Sequence, residues 1–250
     1  MILYNAASSI ARITLNRPEK RNALNPELIT ALKDTLAASA KDENVRVVLL
    51  AGAGKDFCAG MDLASLDRTA DAGVLDHLET ARHLADLFLV MRRHPRPIVA
   101  AVHGRALAGG CGLATACDLI LANESAQFSY TEIKIGFVPA IVMAILRRSV
   151  SEKRAFELIA TGEMISAAEA RAIGMINRVY PETEFDAGVE AYVAELAAKP
   201  ASAVGLSKRL LYHTDGMTFE AAIEAGVHGN ALARMTEDAR RGIARFVKKG

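Results

Sequence analysis

The sequence predicts an α/β protein whose longer first part alternates buried strands with helices and whose last part is helical. Two short apolar runs, residues 45–50 and 98–102, have the continuous hydrophobicity of strands covered on both faces. Helical periodicity separates them: Leu28, Leu32 and Leu36 stack behind Asn25-Pro26, and Leu75, Leu78, Leu84 and Phe88 lie along residues 73–93. Near residue 185 the composition shifts towards Ala, Glu and Lys, which marks a core over residues 1–185 and a helical region over 186–250.

Each element has a local reason. Residues 9–15 alternate Ile10, Arg12 and Thr14 with Ala11, Ile13 and Leu15, which suits a strand, and Asn16-Arg17-Pro18 turns the chain. Asn25 supplies an N-cap and Pro26 the first helical residue. The helix over 73–93 stops at His94-Pro95-Arg96-Pro97. Residues 119–122, 126–129 and 175–179 are further short strands. Ser151 caps a helix to about residue 161, and Ser166-Ala167-Ala168-Glu169 opens another that ends at Gly174. From residue 183 onward the chain reads as helices hinged at Pro200 and Gly216. Leu210, Leu211, Phe219, Ile223, Leu232, Ile243 and Phe246 must find cover there, either on the core or on another subunit.

Lys and Arg number 30 against 29 Asp and Glu, so no global field favours nucleic acid or an anionic membrane. Nothing approaches the ~20 apolar residues of a membrane helix, and residues 1–15 are too polar for a signal peptide. Cys58, Cys111 and Cys117, an odd count in apolar or small-residue surroundings, suggest reduced thiols in a cytoplasmic protein. No Cys-x-x-Cys pair or His cluster has metal-ligand spacing, so no metal site is expected.

Three segments carry candidate chemistry. Phe57-Cys58-Ala59-Gly60-Met61-Asp62-Leu63 follows a buried strand, and its small residues can expose main-chain N–H groups; taken alone, the segment reads better as a plain glycine turn. His103-Gly104-Arg105-Ala106-Leu107-Ala108-Gly109-Gly110-Cys111-Gly112 follows the next strand and leads into a helix beginning around Gly110, where unpaired N–H donors can meet developing negative charge. It is neither a dinucleotide fingerprint nor a phosphate loop. His103 is a candidate base, although a turn histidine is the plainer reading. The third segment sets Glu132 among aromatic and aliphatic residues, a setting that raises a carboxyl pKa towards proton-transfer range; the alternative is a surface glutamate paired with Lys134.

With Asn16-Arg17-Pro18-Glu19-Lys20-Arg21-Asn22-Ala23-Leu24 ahead of them, these segments resemble the crotonase (enoyl-CoA hydratase/isomerase) superfamily over nearly the whole chain. The resemblance implies a spiral of ββα units with a C-terminal helical oligomerisation region, assembled as a homotrimer or homohexamer. It implies an acyl-CoA thioester substrate, with fatty acid metabolism as the setting and no cofactor beyond the coenzyme A of the substrate. Met61 and Gly109 match the two residues whose N–H groups form the oxyanion hole, and Glu132 matches a catalytic glutamate. Ala59, Met61, Asp62, Leu63 and Ala64 match the stretch along which acyl-CoA lies, while Arg21 and Ala23 fall where the family holds the nucleotide end. Two positions depart from the pattern. Gly112 stands where two-glutamate hydratases carry their other glutamate, and Ala140-Ile141-Val142 replaces a glycine-rich turn, so the site is expected to be more apolar and less able to position water.

The resemblance therefore points first to an enoyl-CoA hydratase-type lyase with one catalytic glutamate. A double-bond isomerase is the alternative, and a non-catalytic acyl-CoA-binding member a further one. The helix over 73–93 and the loop before it are expected to shape the acyl pocket. Gly112→Glu is expected to raise hydration if the missing carboxylate limits it.

Overall fold

The structure, a computed structural model, describes residues 1–68 and 71–247, the side chain of Phe246 excepted. Part of the loop ahead of the 73–93 helix and the Phe246 side chain thus lie outside the described residues. β1 (Ile2–Ala7) and β2 (Ile10–Leu15) form an antiparallel pair, followed by α1 (Pro26–Lys41) and β3 (Val47–Gly52). Next come α2 (Leu63–Asp67), α3 (Val74–Arg93), β4 (Ile98–Val102), β5 (Arg105–Leu107) and α4 (Gly109–Thr115). Then follow β6 (Leu119–Asn123), β7 (Gln127–Ser129), α5 (Ala140–Ser149), α6 (Glu152–Thr161), β8 (Ile165–Ser166), α7 (Ala167–Ala172) and β9 (Arg178–Tyr180). The chain closes with α8 (Phe185–Ala197), α9 (Ala201–His213), α10 (Phe219–Met235) and α11 (Glu237–Val247).

The larger sheet has the order β1-β2-β3-β4-β6-β9 and is parallel from β2 onward. Its period of two sorts the apolar runs into two cores. Val48, Leu50, Ile98, Ala100, Ile120 and Ala122 face the helices α1 and α3. Val47, Leu49, Val99, Ala101 and Leu121 face α8, which buries Phe185, Val189 and Val193 against them. That double cover is why these strands read as unbroken hydrophobic runs. A smaller sheet, β5-β7-β8, stands beside α4.

The local signals hold at most boundaries. Asn25 accepts from Leu28 N–H at 3.0 Å at the head of α1, and Ser151 and Ser166 cap α6 and α7. Three elements differ from expectation. β1 carries no side-chain pattern because, apart from half-buried Ile2, it is exposed; backbone pairing to β2 alone makes it a strand. The strand expected over 175–179 forms at Arg178–Tyr180, because Asn177 first ties the chain to β6, accepting from Ile120 N–H at 2.8 Å. Residues 140–142 open the helix α5, which buries Val142 and Leu146 one turn apart.

The helical tail also breaks at Thr236, whose hydroxyl accepts from Ala239 N–H and starts α11. Where α8 is held by apolar packing, α9 has a polar anchor to the core. Lys208, 8% exposed on α9, donates to Asp118 Oδ2 at 2.7 Å and to the carbonyls of Met91 and Arg96. Tyr212 donates to the other Asp118 oxygen at 2.6 Å. Burial lowers the Lys208 pKa, and Asp118 opposes that shift. Leu211, Phe219, Ile223, Leu232 and Ile243 remain exposed on the single chain. Among the described residues no helix is long and apolar enough to cross a membrane.

Candidate active site

The three chemistry-bearing segments meet because each follows one of three neighbouring parallel strands. β3, β4 and β6 lie side by side, and ligands in parallel sheets gather beyond the carboxyl ends of the strands. The segment after β3 carries Met61, that after β4 carries Gly109, and that after β6 leads through β7 to Glu132.

The first two segments are stitched together by backbone. Leu107 N–H donates to Cys58 O at 2.9 Å and Cys58 N–H to Arg105 O at 3.2 Å. On the other side, Leu24 N–H donates to Gly60 O at 2.7 Å and Asp62 N–H to Leu24 O at 2.9 Å. Gly60 has φ +95°, and a Cβ there would come within 2.9 Å of both Ala108 Cβ and Leu107 O, so only glycine allows this crossing. Ala108 is itself strained, at φ 48° and ψ −125°, with its N–H fixed on Ser129 O at 2.7 Å. These restraints leave the N–H groups of Met61 and Gly109 without a protein acceptor among the described residues. A Cβ built on Gly109 would lie 3.8 Å from Met61 N, so the two donors adjoin. Such a pair of fixed donors suits a carbonyl oxygen that gains charge.

Buried side chains brace this cradle from behind. Asp56, 3% exposed, accepts from Arg105 Nε at 2.8 Å, Arg105 Nη2 at 2.9 Å and Arg105 N–H at 3.0 Å. Burial alone would raise its carboxyl pKa, but the Arg105 hydrogen bonds hold it below the usual range. Fully buried Asn22 donates to the carbonyls of Ala53 and Asp56, both at 2.9 Å. Sequence reasoning missed both groups; nothing local in Asp56 or Asn22 announces partners about 30 to 50 residues away.

Glu132 sits in a short 3-10 helix, Thr131–Ile135, whose end at Gly136 has φ 72°. Phe137 N–H closes it on Glu132 O at 3.0 Å. Glu132 is 9% exposed, and its Oε2 has no hydrogen-bond partner among the described residues. It makes no ion pair with Lys134 among the described residues, which removes the surface-pair reading. Desolvation raises its pKa, opposed by its own backbone N–H. His103 bonds Gly54 O at 2.9 Å and serves the turn. The three cysteines are free and buried, and burial pushes the Cys58 and Cys111 thiols up to about 12.

Ala59, Met61, Leu63, Gly109 and Glu132 all line one cavity of about 440 Å³, whose wall is otherwise largely apolar. Ala81 and Leu84 of α3 contribute to it, as does the run from Ile135 to Val142. Asp62, Ala64, Arg21 and Ala23 do not line it. The Asp62 carboxylate caps α2 and pairs with Arg17 at 3.1 Å, while Arg21 lends its carbonyl to Ala59 N–H at 3.0 Å. Gly112 lies behind the cavity, and the structure joins the two departures noted in the sequence. A Cβ on Gly112 would fall 2.1 Å from Val142 Cγ1, so the valine of α5 occupies the space a side chain at 112 would need. The expectation that Gly112→Glu raises hydration is therefore corrected: that carboxylate has no room.

The parallel sheet thus delivers two adjoining backbone donors and one buried carboxylate to a single, largely apolar cavity. Comparison with known proteins gives the family: the enoyl-CoA hydratase/isomerase family model matches residues 5–250, and the chain belongs to that family. A relative from Thermus thermophilus is 41% identical over 240 residues, covering 96% of this chain and 95% of its own. The 2,3-dehydroadipyl-CoA hydratase of Escherichia coli is 32% identical, covering 99% and 96%. The crystal structure of an enoyl-CoA hydratase from Mycobacterium smegmatis is similar with a TM-score of 0.95 at 35% identity, covering 99% of this chain and 96% of that one. The architecture is accordingly the crotonase fold.

Proposed function

We propose that this chain is an enoyl-CoA hydratase that works with a single carboxylate. The observation that carries the reading is the buried, partnerless Oε2 of Glu132 in the same cavity as the free N–H groups of Met61 and Gly109. The thioester carbonyl accepts from both N–H groups, which favours electron flow onto its oxygen. Ionised Glu132 takes a proton from water as the water oxygen bonds to Cβ, and the C=C pair moves to form the enolate. The resulting acid then gives that same proton to Cα, which restores the carboxylate and completes the addition of water. The substrate brings its own coenzyme A, and no further cofactor is needed.

A second reading is favoured by Val142 covering Gly112, which keeps the cavity apolar. In a double-bond isomerase Glu132 would take a proton from Cα of a 3-enoyl-CoA and return it at Cγ, with no water involved. One assay separates the two: crotonyl-CoA and a 3-enoyl-CoA are supplied, and conjugated-thioester absorbance and deuterium exchange at Cα are followed. Loss of conjugation with water addition supports the hydratase, and gain of conjugation from the 3-enoyl substrate supports the isomerase. Acyl-CoA binding without turnover or exchange would overturn both and leave an acyl-CoA-binding protein. The exposed apolar faces of α9 to α11, with a groove of about 850 Å³ lined by Leu211, Phe219 and Ile223, support a homo-oligomer such as a trimer or hexamer.

A further inference from the structure

We propose that Val142, seated on Gly112 and backed by Phe88, is the end wall of the acyl cavity and sets the chain length the protein accepts. The inference rests on the acyl-CoA reading of that cavity but not on which reaction follows. The cavity lining joins exposed residues, Lys134 to Val138, to buried ones, among them Leu84 and Val142. Val142 is 3% exposed, Phe88 6% and Leu84 7%. The point where a Gly112 Cβ would stand lies 2.1 Å from Val142 Cγ1 and 3.7 Å from Phe88 Cζ, so the two side chains converge on the bare helix backbone of α4.

Behind this wall lies a second cavity of about 470 Å³, between α3, α4 and α5. Val142 lines only the first cavity and Phe88 only the second, while Ile141 lines both, so the partition is about one side chain thick on each side. The near part of the second cavity is apolar, with Ala85, Ala144 and Ile145. Its far part is polar, where Arg92 and Arg148 hold Asp215 at 2.6 and 2.5 Å. A chain passing the wall would therefore find apolar cover before it met charge. The same valine that removes the space for a second carboxylate thus also closes the route for a longer tail.

The test is calorimetric binding of saturated acyl-CoAs, from butanoyl to hexadecanoyl, which bind without turnover. For the parent chain, affinity should rise with length up to a medium chain and then level off. Each methylene newly buried tightens binding about fourfold, so Val142→Ala should raise the hexadecanoyl-to-butanoyl affinity ratio by at least about tenfold. Adding Ala144→Phe, which refills the second cavity from the exposed side of α5, should cancel that gain. If Val142→Ala does not fold by circular dichroism, Phe88→Leu thins the same wall from behind and should give the same gain. An unchanged ratio, a gain that survives Ala144→Phe, or parent affinity that keeps rising to hexadecanoyl would overturn the proposal. Failure of the parent to bind even butanoyl-CoA would instead remove the acyl-CoA reading on which it rests.

Discussion

The two halves of the candidate active site are built from different material. The half contributed after β3 and β4 is backbone: Met61 and Gly109 offer N–H groups whose direction is set by crossing segments, by the φ of Gly60 and by the strained Ala108. The half contributed after β6 is side chain: one carboxylate, Glu132, in an apolar wall to which α5 adds Val142. Backbone donors tolerate almost any side chain at their own positions but depend on distant bracing such as Asp56 with Arg105. The side-chain half depends on single residues, and one valine is enough to fill the space a side chain at 112 would need. The difference teaches that the donor pair is held by many crossing backbone bonds, while the rest of the cavity wall is set by a few replaceable side chains.

The largest test of that contrast is Glu132→Gln. It should lower kcat by about 10²–10⁴-fold, the usual worth of a positioned acid–base group. Affinity for a saturated acyl-CoA, read by calorimetry, should stay within a few-fold. The same variant has a pH signature. Burial raises the Glu132 pKa, so the folded chain holds this proton more tightly than the unfolded chain. The neutral form's contribution to stability is complete below the ordinary glutamate value, roughly 4.3, and is lost as pH rises through the raised value. Glutamine escapes that loss, so the variant should melt above the parent at neutral pH and level with it in acid. Equal turnover in parent and variant would remove Glu132 from the chemistry.

Gly112→Glu should be the next largest. Its Cβ would collide with Val142, so overpacking costs about 1–3 kcal/mol, and the buried carboxylate adds to that. Thermal melting should fall and hydration should not rise; with Val142→Gly added, stability should recover and hydration increase. On the backbone half, Ala108→Gly relieves a conformation that costs an L-residue about 1–3 kcal/mol, so melting should rise while kcat drops by less than about tenfold as the Gly109 donor loosens. The smallest effect belongs to Met61→Ala. Its donor is main chain, so kcat should stay within about threefold, and a larger loss would mean that the side chain shapes the site after all.

Much of the core was legible along the chain. Apolar runs gave β3, β4 and β6, because a strand buried on two faces has no room for polar residues. Caps at Asn25, Ser151 and Ser166 marked helix starts, because those side chains bond N–H groups three residues on. β1 was not legible, since an exposed strand needs only a partner's backbone. The helix α5 left a signal in Val142 and Leu146, four residues apart behind Pro139, but the residues also fit a replaced turn.

The sequence by itself determined the three chemistry-bearing segments, the single glutamate, and the family to which they belong, because these are properties of residue type and order. Tertiary structure alone decided that Met61 and Gly109 present adjoining donors, since their meeting depends on β3 and β4 being neighbours in the sheet. It also decided that the Asp62 carboxylate pairs with Arg17, that the Arg21 carbonyl accepts from Ala59 N–H, and that His103 bonds Gly54 O. And it decided that Gly112 and Val142, 30 positions apart in the numbering, share one volume that only one side chain can fill. Packing is a relation between residues, and no local pattern in either segment carries it.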